Sequence, residues 1–255
     1  MIGVIGGTGL RKIDGLNITG EQFVDTPYGK PSDKILVGKL DNCDIAFLAR
    51  HGEGHTIPPH LINNRANIFA LEALGVKAIF GIATVGSIPN EIKPGSIVLP
   101  HQIIDYTYGR DHTFFDGVKN PVSHIDFTNP YNPELRKLLC NNASLEDIIF
   151  VTEGIYAAVQ VPRLETAAEI DKYEKDGATI VGMTGMPEAS LARELDLPYA
   201  AICPVANFAA GRASSKDGIT HEEINKQSEI MSFNVSKYLK VVIQAHGNER
   251  NIKNG

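Results

Sequence analysis

The 255-residue sequence contains no tryptophan and only three cysteines. Cys43, Cys140 and Cys203 lie far apart and form no CxxC pair, so we expect reduced thiols and neither a disulfide framework nor a cysteine-rich zinc site. No apolar run approaches the eighteen or so residues that a membrane helix needs. The opening MIGVIGGTGL has no cationic segment with a cleavage signal, and we therefore expect a cytoplasmic protein.

The chain also has no excess of positive charge. Its 30 acidic residues outnumber the 24 lysines and arginines, and a formal charge of −6 does not suit a protein that grips a nucleic-acid backbone. An anionic ligand must therefore be bound by local groups. With 43% hydrophobic and 21% charged residues, the composition is that of an ordinary folded domain. We predict one domain over residues 1–246 and a polar, frayed tail over residues 247–255.

Short runs rich in β-branched residues alternate with segments of helical period, which predicts an α/β domain. Ile62, Ala66, Phe69, Ala70 and Ala73 fit one buried helical stripe that ends before Gly75. A capping box formed by Thr220 and Glu223 is expected to open a long last helix. The predicted strands are Ile2–Ile5, Ile35–Val37, Ile45–Ala49, Val76–Ala83, Ser96–Leu99, Ile148–Val151, Thr179–Gly182 and Tyr199–Cys203.

Four turns that suit an anion follow predicted strands. Glycines let backbone N–H groups approach an anion, and arginine offers a planar fork of donors. Histidine adds a donor whose protonation can follow the charge of the ligand, and threonine adds a hydroxyl. Each turn alone is commonly a structural turn, a solvated loop or a plain strand-to-helix junction. Together, at strand ends of one sheet, they predict a single phosphate site. The turns are Gly6-Gly7-Thr8-Gly9, Arg50-His51, Ala83 to Ser87, and Gly182 to Glu188.

Two other ligand classes fit these turns less well. A dinucleotide-binding turn would continue as GxGxxG, but Lys12 occupies the third glycine position and Asp14-Gly15 interrupts a helix. His51 and His55 have a spacing that suggests a metal ion. They lie on a glycine-rich loop without a carboxylate or third histidine in register, so we expect no metal.

The stretches GGTGL, ARHGEGHTIPPHLINNRANI and MTGMPEASLARE resemble the trimeric purine nucleoside phosphorylase and methylthioadenosine phosphorylase family. The stretches HQIIDYTYGRDHTFFDG, HIDFTNPY and PRLETAAEI are similar to its methylthioinosine phosphorylase branch. The resemblance implies a single-domain, three-layer α/β fold whose mixed central sheet is flanked by helices. It also implies a homotrimer with sites at subunit interfaces. The implied reaction is phosphorolysis of a purine nucleoside, with phosphate as co-substrate and no metal or organic cofactor.

The resemblance also assigns roles to individual residues. His51, Glu165 and Asn207 are expected to take part in the chemistry. His124 matches a position that reaches into the neighbouring subunit's pocket, and His221 matches a position near the 5′ end of the sugar. The implied phosphate ligands are Thr8, Arg50, His51, Thr84 and Thr184, and the implied ribose and base contacts are Met183, Leu164, Glu165 and Asn207.

Two positions favour a 6-oxopurine base. Adenine-specific relatives have aspartates where this chain has Asn207 and Ala209, and an asparagine amide can donate to N7 or O6 of hypoxanthine. The Glu165 carboxylate can accept the N1–H of a 6-oxopurine, whereas adenine N1 is itself an acceptor. In a purely structural reading, Glu165 is a surface carboxylate at a helix start and Asn207 is a turn residue.

The predicted reaction is therefore S-methyl-5′-thioinosine plus phosphate to hypoxanthine plus 5-methylthioribose 1-phosphate. Relatives that act on inosine have a histidine like His221, so inosine or guanosine phosphorolysis stays open, as does methylthioadenosine. The structural alternative is that His221 is simply an exposed residue in the first turn of the last helix. Val161 and Leu164 depart from the usual glycine and aromatic residue, which predicts weaker base binding. A hydrolytic nucleosidase and a silent purine-binding module are the competing interpretations.

Overall fold

The computed structural model describes residues 1–7, 14–160, 162–219 and 221–253, and of residues 221–229 and 249–253 it describes the backbone alone. Its described strands join in one mixed sheet in the order β2-β3-β4-β1-β5-β12-β6-β11-β10-β8, with β7 paired to β12 and β9 paired to β7. The strands are β1 (Ile2–Gly6), β2 (Leu16–Gln22), β3 (Ile35–Leu40), β4 (Cys43–Ala49), β5 (Ile79–Ile82), β6 (Val85–Ser87), β7 (Ile97–Val98), β8 (Gln102–Asp105), β9 (Phe150–Val151), β10 (Ile155–Ala158), β11 (Ile180–Gly182) and β12 (Tyr199–Phe208).

Helices cover both faces of the sheet, as a three-layer α/β domain requires. The described α-helices are α1 (Asn64–Ala73), α2 (Pro133–Asn141), α3 (Ala167–Lys175), α4 (Glu188–Glu194) and α5 (His221–Lys253). Alternate strand residues face opposite layers. Ile5 and Leu48 join the cluster that contains residues of α1 and α4, whereas Val4 and Phe47 join the cluster that contains residues of α2 and α5. The predicted fold class is confirmed.

All eight predicted strands coincide with observed strands, and four observed strands were not predicted. The missed strands β2, β6, β8 and β10 are an exposed edge strand and three short segments.

The buried stripe predicted for the first helix differs from the buried face observed in α1. Asn63 caps α1 by accepting from the Ala66 N–H, so Ile62 precedes the helix, and Ala73 is exposed while Leu71 is buried.

The C-terminal helix differs from the predicted tail. Helix α5 continues to Lys253, so the boundary placed between residues 246 and 247 does not coincide with a helix end. A Cβ built at Gly247 would lie 2.6 Å from the Cys43 sulfur, which shows how closely α5 approaches β4 there. Thr220 of the proposed capping box lies outside the described residues. In the part of the chain that the structure describes, none of the helices has the length and apolarity to cross a membrane.

The strand directions bring distant turns to one place. Strands β4, β1, β5 and β12 are parallel, so the residues that follow Gly6, Ala49 and Ile82 leave the same edge of the sheet. Strand β11 runs antiparallel to β6, and its C-terminal end therefore lies beside the start of β6. This places the Met183-Thr184 turn next to Thr84.

Candidate active site

A cavity of about 390 Å³ lies at this sheet edge. Its size is within the usual range for a small-molecule site. It receives residues from the ends of β1, β4, β5 and β11, from β12, and from the segment before α3. The lining residues include eight of the predicted site residues, namely Arg50, His51, Thr84, Leu164, Glu165, Met183, Thr184 and Asn207.

The four turns predicted to bind an anion all contribute to this cavity. Gly7 comes from the first turn, Arg50 and His51 from the second, Thr84 from the third, and Thr184 from the fourth. The Arg50 N–H donates to the Gly6 carbonyl at 2.9 Å, which joins the first two turns directly. Thr8, the predicted hydroxyl of the first turn, lies outside the described residues.

Arg50 is bound differently from the expected open fork. It is 2% exposed, and its Nε and Nη2 donate to the two carboxylate oxygens of Glu188, both at 2.7 Å. Its Nη1 donates to the Ile82 carbonyl at 2.6 Å. Burial by itself opposes the charge, but the neighbouring Glu188 carboxylate raises the pKa of Arg50 above its ordinary value. Most donors of the guanidinium are therefore already occupied by protein acceptors.

Tyr199 and Gly81 complete the surroundings of this ion pair. The Tyr199 hydroxyl donates to Glu188 Oε1 at 2.7 Å, and Glu188 is fully buried. A Cβ built at Gly81 would lie 1.9 Å from the Tyr199 hydroxyl and 2.9 Å from Glu188 Oε1, so only glycine leaves room for the pair. A buried ion pair needs such extra hydrogen bonds because desolvation of both charges is costly.

His51 is neutral at physiological pH. Burial lowers its pKa to about 4, and the positive charge of Arg50 contributes to the shift. Its Nδ1 lies 2.9 Å from the Ile57 carbonyl, which can only accept, so Nδ1 carries the proton and Nε2 is left for a bound molecule. The ring stacks on His55 with centroids 4.1 Å apart. His51 thus offers an acceptor in the free protein, not the donor that was expected.

Arg110 fixes the turn that carries Met183 and Thr184 by hydrogen bonds to its backbone carbonyls. This buried arginine donates through Nη1 to the carbonyls of Met183 at 2.9 Å and Met186 at 2.7 Å. It also donates to the Val159 carbonyl at 3.2 Å and to the Gln160 side chain at 3.0 Å. On the other side of the turn, the Thr184 N–H reaches the hydroxyl of buried Tyr156 at 3.4 Å.

Asn207 lies at an irregularity in β12. The register between β12 and β6 shifts between Val205 and Asn207, and such bulges commonly re-aim side chains beside functional sites. The Asn207 Nδ2 donates to the Phe208 carbonyl at 2.6 Å. This bond fixes the amide orientation and leaves Oδ1 and one N–H for a bound molecule. Ala206 and Ala209 line the cavity beside it.

Glu165 and Leu164 enter the cavity from the segment before α3. Burial raises the pKa of the Glu165 carboxyl, and nearby Glu169 acts in the same direction. The helix itself is capped by Thr166 and Glu169, which form a capping box. Glu165 is therefore not the helix cap, and it lines the cavity instead. Leu164 is 43% exposed and leaves an apolar surface at the cavity.

One described residue of the predicted site, His124, does not line this cavity. His124 is exposed, in the long irregular segment between β8 and α2. His221 begins α5, but its side chain is outside the described part of the structure. Val161 is likewise outside it. Among the residues described, no cluster of three or more histidine, cysteine, aspartate or glutamate side chains has the geometry to hold a metal ion.

The sequence reasoning missed Glu188, Arg110, Tyr156 and Tyr199 as members of the site. Glu188 and Arg110 stand in stretches that carried the family resemblance, MTGMPEASLARE and HQIIDYTYGRDHTFFDG. Their roles depend on contacts across 138 and 73 positions of the chain. Such contacts depend on how the folded chain packs, so the local sequence could not reveal them.

Comparison with known proteins identifies the family. A model of the Phosphorylase superfamily matches residues 1–244, and the chain belongs to this family. The resemblance inferred from the motifs is therefore confirmed.

Individual relatives are similar over most of the chain. A probable S-methyl-5′-thioinosine phosphorylase of Pseudomonas syringae pv. tomato is 48% identical over 223 residues, 88% of this chain and 90% of that protein. A 6-oxopurine nucleoside phosphorylase of Pyrococcus furiosus is 44% identical over 254 residues, 98% of this chain and 94% of that protein. The structure of methylthioadenosine phosphorylase from Schistosoma mansoni with adenine has a TM-score of 0.89 at 30% identity, covering 97% of this chain and 92% of that one.

Proposed function

We propose that this protein cleaves 6-oxopurine nucleosides with inorganic phosphate, transferring the pentosyl group to phosphate and releasing the base. S-Methyl-5′-thioinosine is the first substrate, with hypoxanthine and 5-methylthioribose 1-phosphate as products. The observation that carries the proposal is the convergence of four anion-binding turns and a polar base pocket in one cavity. The names of relatives at 44% and 48% identity support the same reaction class.

The arrangement of polar groups suits this chemistry. Breaking the glycosidic bond builds positive charge on the sugar and negative charge on the departing base. Phosphate bound near Arg50, His51, Thr84 and Thr184 is both the nucleophile and the anion that stabilises the sugar. Holding it against C1′ contributes up to about 7–11 kcal/mol in favourable intramolecular cases. Met183 also lines the cavity and is assigned to the ribose.

The base end favours a 6-oxopurine. The free Asn207 N–H donates to O6 or N7 as negative charge develops on the base, and Glu165 accepts the N1–H. Adenine presents a lone pair at N1, which faces the Glu165 carboxylate unfavourably. An unpaired buried polar group costs about 1–3 kcal/mol, so each mismatch gives roughly 5-fold to 150-fold discrimination.

The assembly we propose is a homotrimer with each site at a subunit interface. The resemblance places His124 in a neighbouring subunit's pocket, and its exposure in a single chain agrees with such a role. Neither a metal nor an organic cofactor is needed for this reaction. The cytoplasm remains the expected compartment.

A second candidate is phosphorolysis of inosine or guanosine. The 44% identity to a protein named as a 6-oxopurine nucleoside phosphorylase favours it, and so does the histidine at position 221. Ordinary nucleosides have a 5′-hydroxyl that a histidine can bind, whereas a methylthio group packs better against apolar residues.

A substrate panel tests both candidates. We expect base release from methylthioinosine, inosine and guanosine in phosphate buffer, with the highest kcat/KM for methylthioinosine and little release from methylthioadenosine. Buffer with sulfate at the same ionic strength is the control, because sulfate occupies an anion site without giving a sugar phosphate. Equal base release without phosphate would contradict phosphorolysis and support hydrolysis. Base binding with no turnover of any nucleoside would support a binding module.

A further inference from the structure

Two arginines, Arg50 and Arg110, are buried among the described residues, and they differ in how far nearby carboxylates compensate their positive charge. Arg50 forms a two-pronged ion pair with Glu188, whereas Arg110 forms no ion pair within 4 Å with a described carboxylate. The four hydrogen-bond acceptors of Arg110 among the described residues are neutral: three backbone carbonyls and the Gln160 side-chain oxygen. Burial lowers the pKa of Arg110 and the Asp105 carboxylate only partly opposes this, whereas Glu188 holds the pKa of Arg50 above its usual value. Arg110 therefore leaves more of its charge uncompensated.

Arg110 is hydrogen-bonded to the turn that carries Thr184, so its positive charge lies next to that turn. Its Nη1 donates to the Met183 carbonyl at 2.9 Å, and Met183 and Thr184 both line the cavity. In a trans peptide the C=O and the following N–H point in opposite directions. The bond therefore orients the Met183–Thr184 peptide with its N–H away from Arg110 and toward the Tyr156 hydroxyl, which it reaches at 3.4 Å. The Met186 carbonyl, bound at 2.7 Å, fixes the other end of the turn.

We propose that Arg110 is the positioning residue that sets the affinity of the cavity for phosphate. It clamps the Met183–Met186 turn at two backbone carbonyls, ties the turn to the Val159 carbonyl after β10, and places beside it a buried positive charge with no described carboxylate within 4 Å. Arg50, whose fork is bound to Glu188, supplies less net charge than its place at the cavity suggests. The inference rests on the proposed function, since it concerns the phosphate of that reaction.

The test compares Arg110→Met with Arg110→Lys in the full-length protein. Loss of a preorganised charged donor set at an anion site costs about tenfold or more. We expect Arg110→Met to raise the KM for phosphate by about that factor and the KM for nucleoside by less than about threefold. Arg110→Lys keeps the charge but not the fork, so its KM for phosphate should lie between those of Arg110→Met and the wild type.

Arg136→Met is the matched control. Arg136 also donates to backbone carbonyls, those of Pro100 and Thr152, and it pairs with Glu153 at 3.0 Å, but it does not line the cavity. We expect its loss to lower thermal stability without changing the ratio of the two KM values. Titration calorimetry with inorganic phosphate gives a second readout that does not depend on turnover, and the binding constant should follow the KM for phosphate.

The possible results separate the two proposals. If the wild type releases base equally with and without phosphate, the proposed function fails. If the wild type depends on phosphate but Arg110→Met changes both KM values in parallel or not at all, the role of Arg110 is overturned while the function stands. If Arg110→Met does not fold, the same comparison of the two KM values is made with Arg110→Lys. A rise in the KM for phosphate alone supports the proposal, and a parallel rise or no change in both KM values overturns it.

Discussion

Asn207 is the residue on which the choice of base most directly depends. Its Nδ2 donates to the Phe208 carbonyl at 2.6 Å, so an aspartate at this position would place an oxygen against another oxygen. That contact disfavours an ionised carboxylate and raises the pKa of the introduced group. A protonated aspartic acid can donate to one acceptor only, whereas the asparagine donates to the carbonyl and to the base.

We expect the double variant Asn207→Asp, Ala209→Asp to shift substrate preference from 6-oxo to 6-amino nucleosides. The loss of the amide donor leaves O6 unpaired, and an acceptor at 209 suits the adenine amino group. The ratio of kcat/KM for methylthioinosine to that for methylthioadenosine should fall by about tenfold or more, since an unpaired buried group costs about 1–3 kcal/mol.

Asn132→Asp is a matched control for this change. Asn132 caps α2 by accepting from the Leu135 N–H at 3.0 Å, and aspartate caps a helix equally well. The control should leave the kcat/KM ratio unchanged. An unchanged ratio in the double variant would show that base selection does not depend on positions 207 and 209.

At the level of secondary-structure elements, the spacing between β10 and β11 depends on Gly182. A Cβ built at Gly182 would lie 2.3 Å from the Tyr156 hydroxyl, and Tyr156 is fully buried. We expect Gly182→Ala to displace Tyr156 from the Thr184 N–H and to destabilise the fold by about 1–3 kcal/mol, as overpacking typically does. The midpoint of thermal unfolding measures the loss of stability, and the KM for phosphate measures the effect on the turn.

Gly86→Ala is the matched control, because Gly86 also lines the cavity, in neighbouring β6. A Cβ there would meet its nearest atom, a Val181 methyl carbon, at 3.4 Å, an ordinary contact. This variant should unfold near the wild-type temperature. Equal stability of the two variants would show that Tyr156 is not fixed by the absence of a side chain at 182.

The strands that the sequence predicted are those whose own composition favours a strand. Strand β4, with Ile45 and Phe47, is an example. Strand β10 has the sequence IYAA, and its two alanines carry no strand signal. It forms a strand because it pairs with β11 on one side and β8 on the other. Such pairing is a property of the sheet, so a local pattern could not reveal it.

The candidate site shows the same division between local and long-range information. Its turns were predictable because glycine, arginine and threonine follow strands whose ends meet at one sheet edge. The partner of Arg50 was not predictable, since Glu188 is 138 positions away and reaches it only through the packing of α4. His51 offers an acceptor where a donor was predicted, and the reason is similar. The Ile57 carbonyl and burial determine its tautomer and charge, and neither can be seen in the local sequence.

On the scale of the whole molecule, the cavity joins the two halves of the sheet. Arg50 and Thr84 follow strands of the β4-β1-β5 half, whereas Met183 follows β11 of the other half. A ligand that contacts both halves binds the folded chain and not the unfolded one. Its binding free energy therefore adds to the free energy of unfolding of the whole domain.

We expect hypoxanthine, added in the presence of phosphate, to raise the midpoint of thermal unfolding. At 100 times its dissociation constant a ligand adds about 2.7 kcal/mol, which corresponds to roughly 5–10 °C for a domain of this size. The shift should grow with the logarithm of hypoxanthine concentration. Adenine is the matched control and should shift the midpoint less, because its N1 faces Glu165 without a proton. Equal shifts for the two bases would contradict a base pocket formed by Glu165 and Asn207.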